Sequence, residues 1–149
     1  MKKMLSNRNL STVLIIFIFN VSSLMGNYAF KKKVKEVCKS YRIPIESSQL
    51  DLGDNDLTIT MESGRNNFEM YMLVGFASAG QAIAHQKEMA LSNSYVPATI
   101  NLHVAVPSSR DEYTTFSAKC SSDMAISLAD GQMDSSEFMQ KIMDNIKIQ

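Results

Sequence analysis

The stretch Ala98-Thr-Ile-Asn-Leu-His-Val-Ala-Val106 decides how the chain folds. Ile100, Leu102, Val104 and Val106 fall on one side of an extended backbone, Asn101 and His103 on the other. An alternation of period two marks a half-buried strand, with one face on a core and one toward water. Pro107-Ser-Ser-Arg-Asp-Glu112 reads as a connecting turn. Tyr113 to Cys120, rich in Thr and aromatic residues, reads as the return strand.

Working outward, Gln49 to Leu52 and Leu57 to Met61 alternate in the same way around Gly53-Asp-Asn-Asp56, whose residue types favour a tight turn. Between these two hairpins the spacing predicts one long helix, from about Asn67 to Leu91. Its first part, Phe68 to Ala84, is apolar around most of its circumference, which predicts near-complete burial. Gly75, Ala77, Ala79, Gly80, Ala82 and Ala84 keep it thin enough for another backbone to approach. Ahead of the hairpins, Phe30, Val34, Val37, Cys38 and Tyr41 line one face of a helix whose other face is lysine, and Ile43-Pro44 ends it. A short helix over Asp123 to Ala129 and a last one over Ser135 to Ile146 close the chain. Asp134 and Glu137 form a capping-box-like start for the latter, and Phe138, Ile142, Met143 and Ile146 form its apolar stripe. The expected fold is α+β: two β-hairpins packed against a central small-residue-rich helix, in the order α-ββ-α-ββ-αα. Residues 29–149 form this single domain, after an N-terminal signal or anchor helix over residues 1–28.

Composition excludes several classes. An apolar fraction of 45% with 15 basic and 15 acidic side chains is too apolar and too evenly charged for a disordered chain. Two cysteines cannot build a disulfide-dense scaffold or a four-cysteine zinc site. The zero net charge hides an asymmetry: residues 1–42 carry nine basic side chains against Glu36 alone, and residues 43–149 carry 14 acids against six bases. An acidic body argues against binding a phosphate backbone, so no nucleic-acid partner is expected. The basic front end suits an anionic membrane surface.

Lys2, Lys3 and Arg8 precede a dense apolar run, Val13-Leu-Ile-Ile-Phe-Ile-Phe19, and small residues follow between Val21 and Gly26. That is the layout of an export signal. A helix from Leu10 to Met25 reaches roughly 24 Å, short of the ~30 Å hydrocarbon core. If it is not cut, extension through Phe30 makes a single anchor. Lys31, Lys32, Lys33 and Lys35 then favour a cytoplasmic body by the positive-inside rule, in conflict with export.

Candidate chemistry is sparse. His85 and Glu88 sit three apart on a helix, but a metal needs three or four ligands and His103 is on a distant strand. Asp51, Asp54 and Asp56 lack the glycine and closing glutamate of a calcium loop and read as a charged turn. Met70 with Met72, and Met139 with Met143, offer thioethers to a soft ion such as Cu(I), although adaptable packing explains them better. Ser78 lacks a nucleophile-elbow setting. Cys120 with His103 imitates a thiol and base on neighbouring strands, yet Cys120 falls on the inward alternation with Phe116 and Ala118. Cys38 and Cys120, the only cysteines, are expected to pair if the compartment is oxidising and to remain two buried thiols otherwise.

The organisation is similar to that of small single-domain bacterial envelope proteins with one N-terminal signal or anchor. The expectation is an exported or membrane-tethered envelope domain, periplasmic or facing outside the cytoplasm, that acts as a non-enzymatic binding or structural module. Its expected partners are another envelope protein and a membrane met through the N-terminal segment. The alternative is a periplasmic small-ligand or copper-binding protein. No catalytic residue, cofactor or metal ligand is assigned.

Overall fold

The structure is a computed structural model that describes residues 26–64, 66–90 and 93–149. Residues 1–25 of the expected signal or anchor lie outside the described residues, while residues 26–28 already belong to the first helix, α1, over residues 26–40. Gly26 is buried against the backbone of Asn93, where a β-carbon would run into a carbonyl oxygen. One face of α1 is sealed into the core by Phe30, Val34 and Cys38, each fully buried.

The end of α1 comes from capping ahead of Pro44. The Ile43 N–H donates to the Cys38 carbonyl at 3.0 Å, and the Arg42 N–H donates to the Lys39 carbonyl at 2.9 Å. This is the Schellman arrangement, and it places Arg42 in the left-handed region at φ 60°. Ile43 and Cys38, the hydrophobic partners such a cap brings together, are both in the core.

Strands β1 (Leu50–Leu52) and β2 (Asp56–Glu62) form the first expected hairpin, and β3 (Thr99–Ser109) and β4 (Glu112–Ser121) the second. They do not pack as separate hairpins. Helix α2 (Phe68–Met89) carries the chain across the sheet so that β3 lies parallel to β2, with Leu57 opposite Ile100 and Met61 opposite Val104. A parallel pair needs a crossover of this kind, because the end of β2 and the start of β3 lie a full strand length apart. A fifth strand, β5 (Lys147–Ile148), then pairs with β4. The result is one five-stranded sheet in the order β1-β2-β3-β4-β5. Helix α4 (Ser135–Met143) stops short of the expected Ile146, and the residues beyond, for which the sequence suggested no element, form this strand, with the Gln149 N–H donating to the Thr115 carbonyl at 3.0 Å.

The α+β class therefore holds, with β5 added to the expected order. One sheet face carries the helices. Leu57, Ile59, Met61, Ile100, Leu102, Val104 and Cys120 are buried on it. Helix α2 is buried on several sides because it has several neighbours. At Gly75, Leu102 and Met61 press in from the sheet, while Gly80 meets the backbone of α3 (Ser122–Ala129). The opposite face is open and polar. Its rows run Asp51, Thr58, Asn101, Lys119 and Thr60, His103, Ser117, Lys147 across neighbouring strands. Short strands end the sheet at both edges, which leaves little template for adding a partner's strand.

Candidate functional site

A concave surface lies between α1 and residues 44–47. It encloses about 400 Å³, with Tyr28, Lys31, Lys32, Lys35 and Lys39 on the α1 side and Pro44, Ile45 and Ser47 opposite. Periodicity explains the lysine row. Residues 31, 35 and 39 fall four apart on one flank of the helix, about 100° round from the buried Phe30, Val34 and Cys38. The far wall is held by a short 3-10 turn, Ser47–Gln49. The Glu46 N–H donates to the Gln49 side-chain oxygen at 2.8 Å, and Gln49 Nε2 donates to the Thr60 carbonyl of β2, also at 2.8 Å.

Two ammonium groups converge on one residue of that wall. Lys31 Nζ donates to the Ser47 carbonyl at 3.3 Å, and Lys35 Nζ to Ser47 Oγ at the same distance. Lys32 faces Glu36 at 3.9 Å, at the edge of ion-pair contact, with both side chains mostly exposed. An exposed pair of that length contributes little.

A second, shallower depression of about 160 Å³ lies on the open sheet face, bordered by Asn101, His103, Ser117, Lys119, Asn145 and Lys147. Here His103 Nδ1 and Ser117 Oγ are 2.7 Å apart. The partner considered for His103 in the sequence, Cys120, is on the other face: it pairs in register with Ile100 and is buried. Burial pushes its thiol up to about 12, only partly opposed by a hydrogen bond with the Ala125 backbone.

Cys38 and Cys120, the expected disulfide pair, are both buried and carry free thiols in this structure. They have different neighbours. The Cys38 thiol is raised by burial, with a hydrogen bond to Ser78 opposing the shift. Ser78 is itself fully buried, and its hydroxyl donates to the Gly75 carbonyl at 2.8 Å, a packing role within α2.

The other sequence candidates separate as well. Met72 is fully buried whereas Met70 is 48% exposed, so their thioethers do not share a site. Met139 packs against the core and Met143 is largely exposed. Among the described residues, no three His, Cys, Asp or Glu side chains gather closely enough to hold a metal ion, and His85 with Glu88 is no exception. The Asp51, Asp54 and Asp56 segment is a turn organised by a residue the sequence did not single out. Tyr95 donates its hydroxyl to the Gly53 carbonyl at 2.9 Å and to the Asp56 carbonyl at 3.1 Å. Burial, and then the charges of Asp56, Asp51 and Asp54, push that phenol up to about 12.

Ser47, Tyr28 and Ser117 were also missed. The four-residue lysine spacing could have signalled the groove, and the outward alternation of Tyr113 to Cys120 could have signalled Ser117. Nothing local marks Ser47. Comparison with family models, curated proteins and solved structures gives no significant match for this chain.

Proposed function

We propose that this chain is an exported or membrane-tethered domain of the cell envelope, acting as a non-enzymatic binding or structural module. The observation that carries the reading is the two-sidedness of α1. Its apolar face is locked into the domain core by Phe30, Val34 and Cys38, and its lysine face looks outward. This helix directly follows in sequence the candidate signal or anchor segment, residues 10–25, with its apolar run Val13–Phe19. A rigid helix with that design couples whatever holds the N-terminal run to the orientation of the whole domain. Among the described residues, no helix is long and apolar enough to cross a membrane, so tethering rests on the preceding segment.

The acidic remainder of the domain supports the same orientation, because anionic lipid repels it while attracting α1. The short edge strands direct partner binding toward side-chain surfaces and away from strand addition. Cell fractionation with intact-mass measurement of the native protein tests the reading. The expected product begins between Leu24 and Phe30 in an exported fraction, or keeps Met1 in the membrane fraction with its body exposed outside the cytoplasm. An intact Met1 end in a soluble cytoplasmic fraction would overturn it.

A further inference from the structure

The lysine groove carries a more specific assignment, which rests on the membrane-facing reading above. Lys31 and Lys35 are like charges one helical turn apart, a spacing that repels. Both ammoniums nevertheless end on Ser47, a neutral acceptor, at 3.3 Å. Four lysines border the groove against two acids, Glu36 and Glu46, and Glu36 already faces Lys32. The convergence of Lys31 and Lys35 on one point is therefore electrostatically incomplete, and an anion placed beside Ser47 would complete it with charge-assisted hydrogen bonds.

The rest of the lining limits which anion. Pro44 and Tyr28 supply exposed apolar surface next to the charged rim, and the lysine stems add more, while Ile45 at the base is almost wholly buried in the core. Tyr28, 72% exposed, is three residues beyond Met25, where the candidate signal or anchor helix from Leu10 ends. A tyrosine and lysines at that distance belong at the level of lipid headgroups. A free inorganic anion would use the charges and leave the apolar surface without a purpose. We propose that the groove of Tyr28, Lys31, Lys35 and Ser47 binds the phosphate headgroup of an anionic phospholipid, with the start of its acyl region against Pro44 and Tyr28.

Lysine footprinting of the full chain tests this. The protein is reconstituted in vesicles of phosphatidylcholine alone, and in vesicles with phosphatidylcholine and phosphatidylglycerol in equal amounts. Each is acetylated with a water-soluble reagent and read by mass spectrometry. Lys31 and Lys35 should react about fivefold more slowly in the anionic vesicles, while Lys119 and Lys147 on the open sheet face should react at equal rates in both. In the Lys35→Glu variant the protection of Lys31 should disappear. Equal rates for Lys31 and Lys35 in both vesicles would overturn the proposal, and so would Lys31 protection that survives Lys35→Glu, since that reports only diffuse surface charge. Equivalent protection by inorganic phosphate in neutral detergent would overturn the lipid assignment in favour of free phosphate. Failure here is distinguishable from failure of the tethering reading, because fractionation reports where the chain resides regardless of what the groove binds.

Discussion

Gly80 of α2 lies against the backbone of Ala125 in α3 so closely that a β-carbon on the glycine would overlap the Ala125 carbonyl. The obstruction is main chain, which cannot swing aside like the end of a side chain. In an unobstructed helix interior, replacing glycine with alanine is favourable by about 1 kcal/mol. Here the sign should reverse.

Gly80→Ala should destabilise the domain by ~1–3 kcal/mol, the range for overpacking, as should Ala79→Leu at the fully buried neighbouring position. Gly64→Ala is the control, since a β-carbon there meets only the Asn67 side chain at 4.0 Å. Urea denaturation of the three variants checks the order. A Gly80→Ala protein as stable as the parent would mean that α2 and α3 do not pack as described.

Arg42→Gly should stabilise the domain by about 0.5–1 kcal/mol. Arg42 caps α1 at φ 60°, a conformation that costs a side-chain-bearing residue roughly 1–2 kcal/mol. Glycine adopts it freely, and its larger unfolded-state entropy offsets only part of the gain. A lowered denaturation midpoint would count against the cap geometry.

The two cysteines should be invisible to alkylating reagents until the protein unfolds. Both are buried, and the Cys120 thiol is held near 12, so its nucleophilic thiolate is scarce at neutral pH. For the free thiols of this structure, two labels per chain are expected after denaturation without reductant and none before, an outcome that would count against an oxidising compartment for the body. Labelling that needs reductant would instead establish the disulfide.

Stability should fall as pH rises above about 8.5, where the unfolded thiol begins to ionise. The folded state keeps the Cys120 proton until about 12, so between these values it binds more protons than the unfolded state. The free energy of unfolding then declines by up to ~1.4 kcal/mol per pH unit for this group. Cys38 and Tyr95, also raised, act in the same direction. Comparing the pH slope of Cys120→Ala with that of the parent isolates the effect, and identical slopes would refute it.

Tyr95→Phe should cost about 1 kcal/mol by removing a hydroxyl that ties Gly53 and Asp56 together. The ring itself packs edge-on to Phe30 at 4.9 Å and is retained in the variant. Amide exchange at residues 53–56 should accelerate more than exchange in β3. Uniform acceleration across the sheet would argue against a local role.

The legible parts of this fold were those set by local periodicity. Ile100, Leu102, Val104 and Val106 announced β3, and the Asp134 side chain does accept from the Glu137 N–H as its spacing suggested. The parallel joining of Leu57 to Ile100 had no local signature, because both strands alternate equally well in separate hairpins. The two-residue β5 was too short to show a period. For the site, the lysine row was readable, whereas its convergence on Ser47 depends on where the turn after Pro44 is pinned by Gln49 and Thr60. The alternation correctly set Cys120 on the inward face, away from His103, whereas the pairing of His103 with Ser117 depends on the register of β3 and β4, which no local pattern gives.

The parallel pairing of β2 and β3 also bears on how the chain folds as it is made. Every residue pair between those strands joins positions on opposite sides of the whole of α2. Loop closure of that length must come before the pairing rewards it. The first hairpin alone is too small to persist in water, because β1 contributes only three residues. A nascent chain that has emerged only as far as α2 therefore has no lasting sheet. Only with Thr99 to Ala105 does β2 gain its second neighbour, so the chain stays accessible to a chaperone until α2 and β3 have both been made.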